Sequence, residues 1–321
     1  MIDWAQNKED YRKFCQMNGE IPIFFQDWWL DVVCDQGSWE VCLAKDKGGN
    51  ILGVLPFYLS KFYGIKVIKM PDLTPFLGVW FNYTKKKGRQ LVSHRFEKKV
   101  IKDLLTQLPK VMYYAQRHPV QLTNWLPFYW EGYKQRTHYT FRIEQPIDLA
   151  ETFTKLKSST RNKISKAKKI VEIIETDDIE LFYKINQLTF ERQGIKMPYS
   201  LAFLKKMDEA LFERKQRKIL LARDQENRYH GGIYLIWDEV TVYNLLLGAD
   251  TSLRSSGAIQ LLLWEGIQFA AAKKCTFDFE GSMIPNVENM FRSFGGELTP
   301  YSKIYKGGNF IFRLLSAIKN G

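Results

Sequence analysis

"SSGAIQLLLWEGIQFAAAKKCTFDFEGS", residues 255–282, runs from a small-residue turn through a long apolar stretch to two carboxylates at the end of a strand-like segment. From Gly257 to Lys274 the chain is apolar on nearly every face, which predicts a helix buried all round. Its close in Lys273-Lys274 places cations at the negative end of the helix dipole. At its start, Arg254, Ser256, Gly257 and Ala258 offer free N–H groups and positive potential, a cradle for a pyrophosphate. An ordinary helix cap made by the same residues is the alternative. Cys275 to Phe279 reads as a strand, and Asp278 and Glu280 fall on one face of it. Either carboxylate can act as general base on an amine if a partly dry cleft raises its pKa. Capping of the next loop, or pairing with surface lysines, is the plainer role.

Downstream, "MIPNVENMFRSFGGELTPYSKIYK" predicts a short helix, a Gly-Gly stop and a last strand over 299–305. Upstream, "KILLARDQENRYHGGIYLIWDEVTVYNLLLGAD" predicts three antiparallel strands, joined by a polar turn at 224–228 and a tight turn at Asp238-Glu239. "WEVCLAKDKGGNILGVLPFYLSKFYGIKVIKM", near the N-terminus, repeats that plan with turns at Gly48-Gly49-Asn50 and Gly64. Two such meanders point to two related α+β domains. Asp148 and Glu151 form a capping box after the strand-like "THYTFRIEQ", so the boundary is expected near 140–150. Asp177 and Glu180 are expected to cap a further helix. The second half then reads as helices, a strand at 171–175, two helices, the three strands, the buried helix, a strand at 275–279, a short helix and a strand.

This order resembles the acyl-CoA N-acyltransferase (GNAT) fold and, more narrowly, its FemABX-like branch. Three stretches carry the likeness: "LKSSTRNKISKAKKIVEII", "SSGAIQLLLWEGIQFAAAKKCTFDFEGS" with its Asp-x-x-Gly pattern, and "MFRSFGGELTPYSKIYK". The likeness is strongest over 150–306 and rests mainly on the meander over 20–145. It implies an α+β chain of tandem GNAT-like domains, each a mixed, mostly antiparallel twisted sheet flanked by helices. The domains expected are a degenerate one at 1–145 and an acyltransferase domain at 146–321. It also implies transfer of an acyl or aminoacyl group, from acyl-CoA or aminoacyl-tRNA, to an amine of a cell-envelope precursor or a nucleotide-linked sugar.

Residue by residue, Arg254 and Gly257 match the family's CoA loop, Gln/Arg-x-x-Gly-x-Gly/Ala, while Ile259 replaces its last small residue. The GNAT fold splays two strands apart, and the main chain of Leu245, Leu246 and Leu247 is expected to hold a pantetheine arm and the acyl carbonyl. Many members carry Tyr-x-x-x-Gly, the phenol protonating the leaving thiolate. Here Phe291 stands at that place, as in the FemABX-like branch, so either another group serves as acid, with Tyr301 the candidate, or the leaving group needs no such help. Arg161 and Lys163 match the basic helix and are the phosphate-binding candidates.

Composition sets the remaining bounds. The 321 residues are 45% hydrophobic, 26% charged and 15% aromatic, so an ordered chain with sizeable cores is expected. A net charge of +12 favours an anionic partner, or is simply a basic surface. Residues 155–169 hold seven cations and no acid, suited to a nucleotide-linked substrate, tRNA or an anionic inner membrane surface. A non-catalytic module binding RNA or lipid through this helix is the rival reading; DNA is not an expected partner. Four cysteines and four histidines without metal-ligand spacing argue against a metal cofactor. The polar N-terminus, and the lack of an apolar run near ~20 residues, suggest a cytoplasmic protein, so the sequon at Asn82 is expected to be accidental. The aromatic stretches 24–33 and 124–133 either fill cores or wall a cleft. The tail "NFIFRLLSAIKN" is expected to dock on its own domain rather than lie on a membrane. GxGxxG, Walker and GxSxG motifs do not occur, which disfavours dehydrogenases, P-loop ATPases and serine hydrolases.

Overall fold

A computed structural model describes residues 2–83, 90–191, 194–281 and 283–308, with the backbone alone for 90–93. The tail from 309 and Thr84 of the sequon lie outside these residues. The chain divides into two compact units, Met1–His138 with the segment from Pro300, and Tyr139–Thr299.

The first unit comprises α1 (Trp4–Met17), α2 (Asp27–Val33), β1 (Ser38–Lys45), β2 (Ile51–Phe62), β3 (Ile65–Lys69), β4 (Trp80–Phe81), α3 (Gln90–Leu105), β5 (Tyr113–Arg117) and α4 (Leu126–Trp130). The chain passes to the second unit within β6 (Lys134–Ile143). There follow α5 (Leu149–Lys155), α6 (Ser158–Ala167), β7 (Val171–Thr176), α7 (Ile179–Glu191), α8 (Leu201–Glu213), β8 (Arg217–Asp224), β9 (Tyr229–Trp237), β10 (Thr241–Ala249), α9 (Ala258–Lys273), β11 (Thr276–Asp278), α10 (Pro285–Arg292) and β12 (Glu297–Gly307).

The two units repeat one pairing plan. In the first, β1, β2 and β3 form an antiparallel meander, β3 pairs in parallel with β5 across α3, and β5 pairs antiparallel with β12. In the second, β8, β9 and β10 form the meander, β10 pairs in parallel with β11 across α9, and β11 pairs antiparallel with β6. Strand β7 extends that sheet along β8. The predicted last strand, β12, therefore has its partner β5 in the first unit, with Lys303 opposite Arg117. Residue pattern predicts that a strand forms, but not which edge it completes. By compactness the first unit runs to His138 and takes up the chain again from Pro300.

Each unit has its own core. Phe57, Ile68, Ile101, Leu104, Phe128 and Ile304 belong to the first. Leu262, Leu263, Ile267, Ile233, Phe277 and Phe279 belong to the second, centred on α9. Its buried residues lie all round the helix, as the apolar run predicts. Asp148 caps α5 by accepting from the N–H groups of Ala150 and Glu151. The cap of α7 is Asp178, whose Oδ1 accepts from Leu181 N at 2.9 Å, while the expected Asp177 pairs with Arg217. Of the aromatic stretches, Phe24, Phe25 and Trp29 are buried, whereas Tyr129 and Trp130 are more than half exposed.

Candidate active site

The feature that sets the second sheet apart is a fork. Strands β10 and β11 run in parallel register for three residues, Thr241 with Thr276, Val242 with Phe277 and Tyr243 with Asp278. There β11 stops, and β10 continues to Ala249. The register of β10 against β9 shifts between Asn244 and Leu246, so Leu245 bulges from the ladder where the strands part. In the first unit β3 ends at Lys69, one residue beyond its last pair with β5, and offers no comparable stretch.

Three polar devices hold the fork. Asn244, 4% exposed, donates from Nδ2 to the carbonyl of Phe279 at 3.4 Å and bridges the parting strands. Its buried Oδ1 has no hydrogen-bond partner among the described residues. Asn186 of α7 donates from Nδ2 to the Leu247 carbonyl at 3.0 Å, and its Oδ1 accepts from the Tyr199 hydroxyl at 2.6 Å. Thr189, one turn on, accepts from Ala249 N at 3.0 Å. Gly248 permits this approach, since a Cβ there would lie 2.7 Å from the Asn186 backbone. The Leu247 carbonyl and the Ala249 N–H are thus engaged by α7, while Leu245, at the bulge, falls outside the register with β9. The side chain of Leu246 is buried and that of Leu247 packs on the core. Sequence reasoning missed Asn186, Thr189, Tyr199 and Asn244; polar residues interrupting the apolar stripe of α7 were the available signal.

Asp278 ends β11 at 2% exposure. Its Oδ1 accepts from Thr140 Oγ1 at 2.5 Å and from Glu280 N at 2.9 Å. The Arg142 guanidinium lies 3.5 Å from its Oδ2. Burial raises the carboxyl to about pKa 6, against the opposing pull of Arg142, Thr140 and the Glu280 N–H. Glu280 does not share a strand face with Asp278, as strand alternation would have it. It lies beyond β11 with φ at +59°, half-buried, its N–H drawn to the Asp278 carboxylate. Gly281, last of the Asp-x-x-Gly pattern, has a packing reason: a Cβ there would come within 2.0 Å of the Tyr139 carbonyl.

At the start of α9 the turn expected as an anion cradle packs closely against α6. Gly257 adopts φ +80°, and a Cβ on it would meet the carbonyl oxygen of Lys163, in α6, at 2.5 Å. Ser256, Gly257 and Ala258 are buried, and Ser256 Oγ accepts from Ala258 N at 3.3 Å. Lys166 Nζ reaches the Ser255 carbonyl at 2.8 Å. Ile259, the departure from the family loop, packs its Cδ1 over Gly231 in the space a Cβ there would need. Arg254 remains exposed beside the turn.

The other candidates divide. Arg161 donates to the carbonyls of Thr154 and Leu156 at 2.8 and 2.5 Å and so closes the end of α5, while the side chain of Lys163 is exposed. Phe291 is a core residue of α10, its ring 5.1 Å from that of Phe279. Tyr301 lies on β12 in the first unit, 8% exposed, with its ring between Phe76 and His138 at 4.9 and 5.6 Å.

Residues 154–285 match the family model described as an acetyltransferase (GNAT) domain. Most of the second unit is thus similar to a GNAT domain. No curated protein matches the chain by sequence. Among solved structures the chain is similar to FemX, at 11% identity and a TM-score of 0.66, covering 94% of this chain and 96% of that one. A conserved protein of unknown function from Bacteroides thetaiotaomicron gives 11% and 0.56, over 95% and 97%. A tandem GNAT protein from the clavulanic acid biosynthesis pathway gives 7% and 0.52, over 94% of both chains. The likeness in fold to FemX thus extends over nearly the whole chain. Among the described residues no helix is long and apolar enough to cross a membrane.

Proposed function

We propose that the GNAT domain is an N-acyltransferase that holds the carbonyl of an aminoacyl donor against the bulge of β10. The observation that carries this is the fork, a strand edge left unpaired beyond Tyr243 and Asp278, with a bulge at Leu245. Main-chain N–H groups at such an edge stabilise the oxyanion formed when an amine attacks. Glu280 takes the proton of the attacking amine and returns it to the leaving oxygen. The C–N bond forms as the ester C–O bond breaks, without net proton change. Asp278 is a positioning residue, fixing the backbone of Glu280 through Thr140 and its own Oδ1.

Aminoacyl-tRNA suits the chain better than acyl-CoA. The turn at Gly257, expected as a pyrophosphate cradle, is packed here against the backbone of α6, and Phe291 supplies no phenol for a departing thiolate. The exposed lysines of 157–169 offer a polyanion a surface instead. The acceptor we infer is an amine on a cell-envelope precursor or nucleotide-linked sugar, met in the cytoplasm, and Tyr301 is not needed as an acid.

Thermal unfolding with charged tRNA, uncharged tRNA, acetyl-CoA and longer acyl-CoAs tests the donor. A ligand at ~100 times its dissociation constant adds about 2.7 kcal/mol, raising one transition by several degrees. A rise with charged tRNA and none with CoA species supports the reading. A rise with acyl-CoA alone overturns the donor and reopens the turn at Gly257.

A further inference from the structure

One face of the first unit gathers cations without acids. On β12, Ile304 points into the core, so Tyr301 and Lys303 share the opposite face. Arg117 stands directly across from Lys303 on β5. On β6, Gln135 donates to Ser302 Oγ at 3.1 Å and so lies on the core side, which puts Arg136 and His138 on the face of Lys303. The 5.6 Å approach of the His138 ring to Tyr301 agrees with this. Like charges facing each other across a strand pair are unfavourable. Here they are kept: among the described residues none of Arg117, Arg136 and Lys303 has a carboxylate partner. Arg117 is held in place by donating from Nη2 to the Thr74 carbonyl at 2.9 Å. His138 Nε2 is buried and has no hydrogen-bond partner among the described residues. Lys303 is pushed below its usual pKa by burial and by Arg117 and Arg136; His138 is pushed down by burial and then by all three cations.

We propose that this face of the first unit binds a phosphoryl group, a phosphate or diphosphate ester, between Arg117, Arg136, Lys303 and His138. Two guanidinium groups and an ammonium match the planar and point-charge modes by which phosphate oxygens are held. The anion offsets the mutual repulsion of these cations, and Nε2 of a protonated His138 gains an acceptor. This site stands on the first unit alone and does not depend on the chemistry of the GNAT domain.

The test is calorimetric titration of the full chain with inorganic pyrophosphate in low-salt, phosphate-free buffer, for wild type, Lys303→Met and Arg136→Gln. Arg136 is exposed and Lys303 half-exposed, so both variants are expected to fold. Saturable binding that weakens at least tenfold in each variant supports the site. So does a wild-type His138 pKa, followed by NMR, that rises on saturation. In ligand-free buffer Lys303→Met is expected to melt no lower than wild type, because a repelled charge is gone. Absence of binding, or affinity unchanged in both variants, overturns the proposal and, in the second case, moves the anion to another basic surface such as α6. Competition then separates the sources: displacement by a nucleoside diphosphate marks a soluble ester, and displacement by phosphatidic acid vesicles a lipid headgroup. Either supports the phosphoryl site.

Discussion

Asp278 is a carboxyl group whose surroundings oppose its charge. Its pKa stands near 6 in the folded chain and returns to the ordinary carboxylate range on unfolding. The folded state therefore binds the proton more tightly. The stabilising contribution is complete below about pH 4 and is lost as pH rises through about 6. Its size is about 3 kcal/mol, since a tenfold difference in proton affinity between the folded and unfolded chain is worth roughly 1.4 kcal/mol. Asp278→Asn should abolish this slope in chemical denaturation between about pH 4 and 7, and should leave the variant at least as stable as wild type at neutral pH. Glu280 carries a different strain, a left-handed backbone in a residue with a Cβ, which costs about 1–2 kcal/mol. Such outliers concentrate at working sites. Glu280→Gly should leave stability within about 1 kcal/mol of wild type, while Glu280→Gly and Glu280→Gln both cut turnover by tenfold or more; unaltered turnover would remove Glu280 from the mechanism.

At the scale of elements, the junction of α6 and α9 turns on one glycine. Gly257→Ala brings a Cβ against the Lys163 carbonyl at a positive φ. Left-handed strain of about 1–2 kcal/mol and overpacking of about 1–3 kcal/mol together predict a loss of roughly 2–5 kcal/mol, read by urea unfolding. Because that loss comes from packing, a Gly257 variant reports on the fold and says nothing about a donor. Helix α10 gives the converse case. Phe291→Tyr restores the family's phenol but buries a hydroxyl among Phe279 and its neighbours, so about 1–3 kcal/mol should be lost with no gain in acyl-CoA turnover.

Over the whole molecule, a charge of +12 predicts association that weakens steeply with salt. If tRNA lies along the basic helix, Lys163→Gln with Lys168→Gln should reduce the slope of log affinity against log salt by about 2, leaving the melting temperature unchanged because both side chains are exposed. An unchanged slope would place the nucleic acid elsewhere.

What the sequence determined by itself is the order of elements, because each depends on local pattern. The apolar run of α9, the two meanders with their polar turns, the Asp148 cap and the stop at Gly295-Gly296 are all consequences of residues within a few positions of one another. The GNAT plan was legible for the same reason, and so was the absence of the Tyr at 291. Tertiary structure decided what depends on residues far apart in the chain. It set β12 beside β5, packed the turn at Gly257 against a carbonyl of α6, and engaged the edge of β10 through Asn186 and Thr189 of α7. It also turned Arg161 back onto α5 and assembled Arg117, Arg136 and Lys303 from three separate strands. Strand pairing and burial are long-range choices, settled by which surfaces fit together, and no local spacing records them.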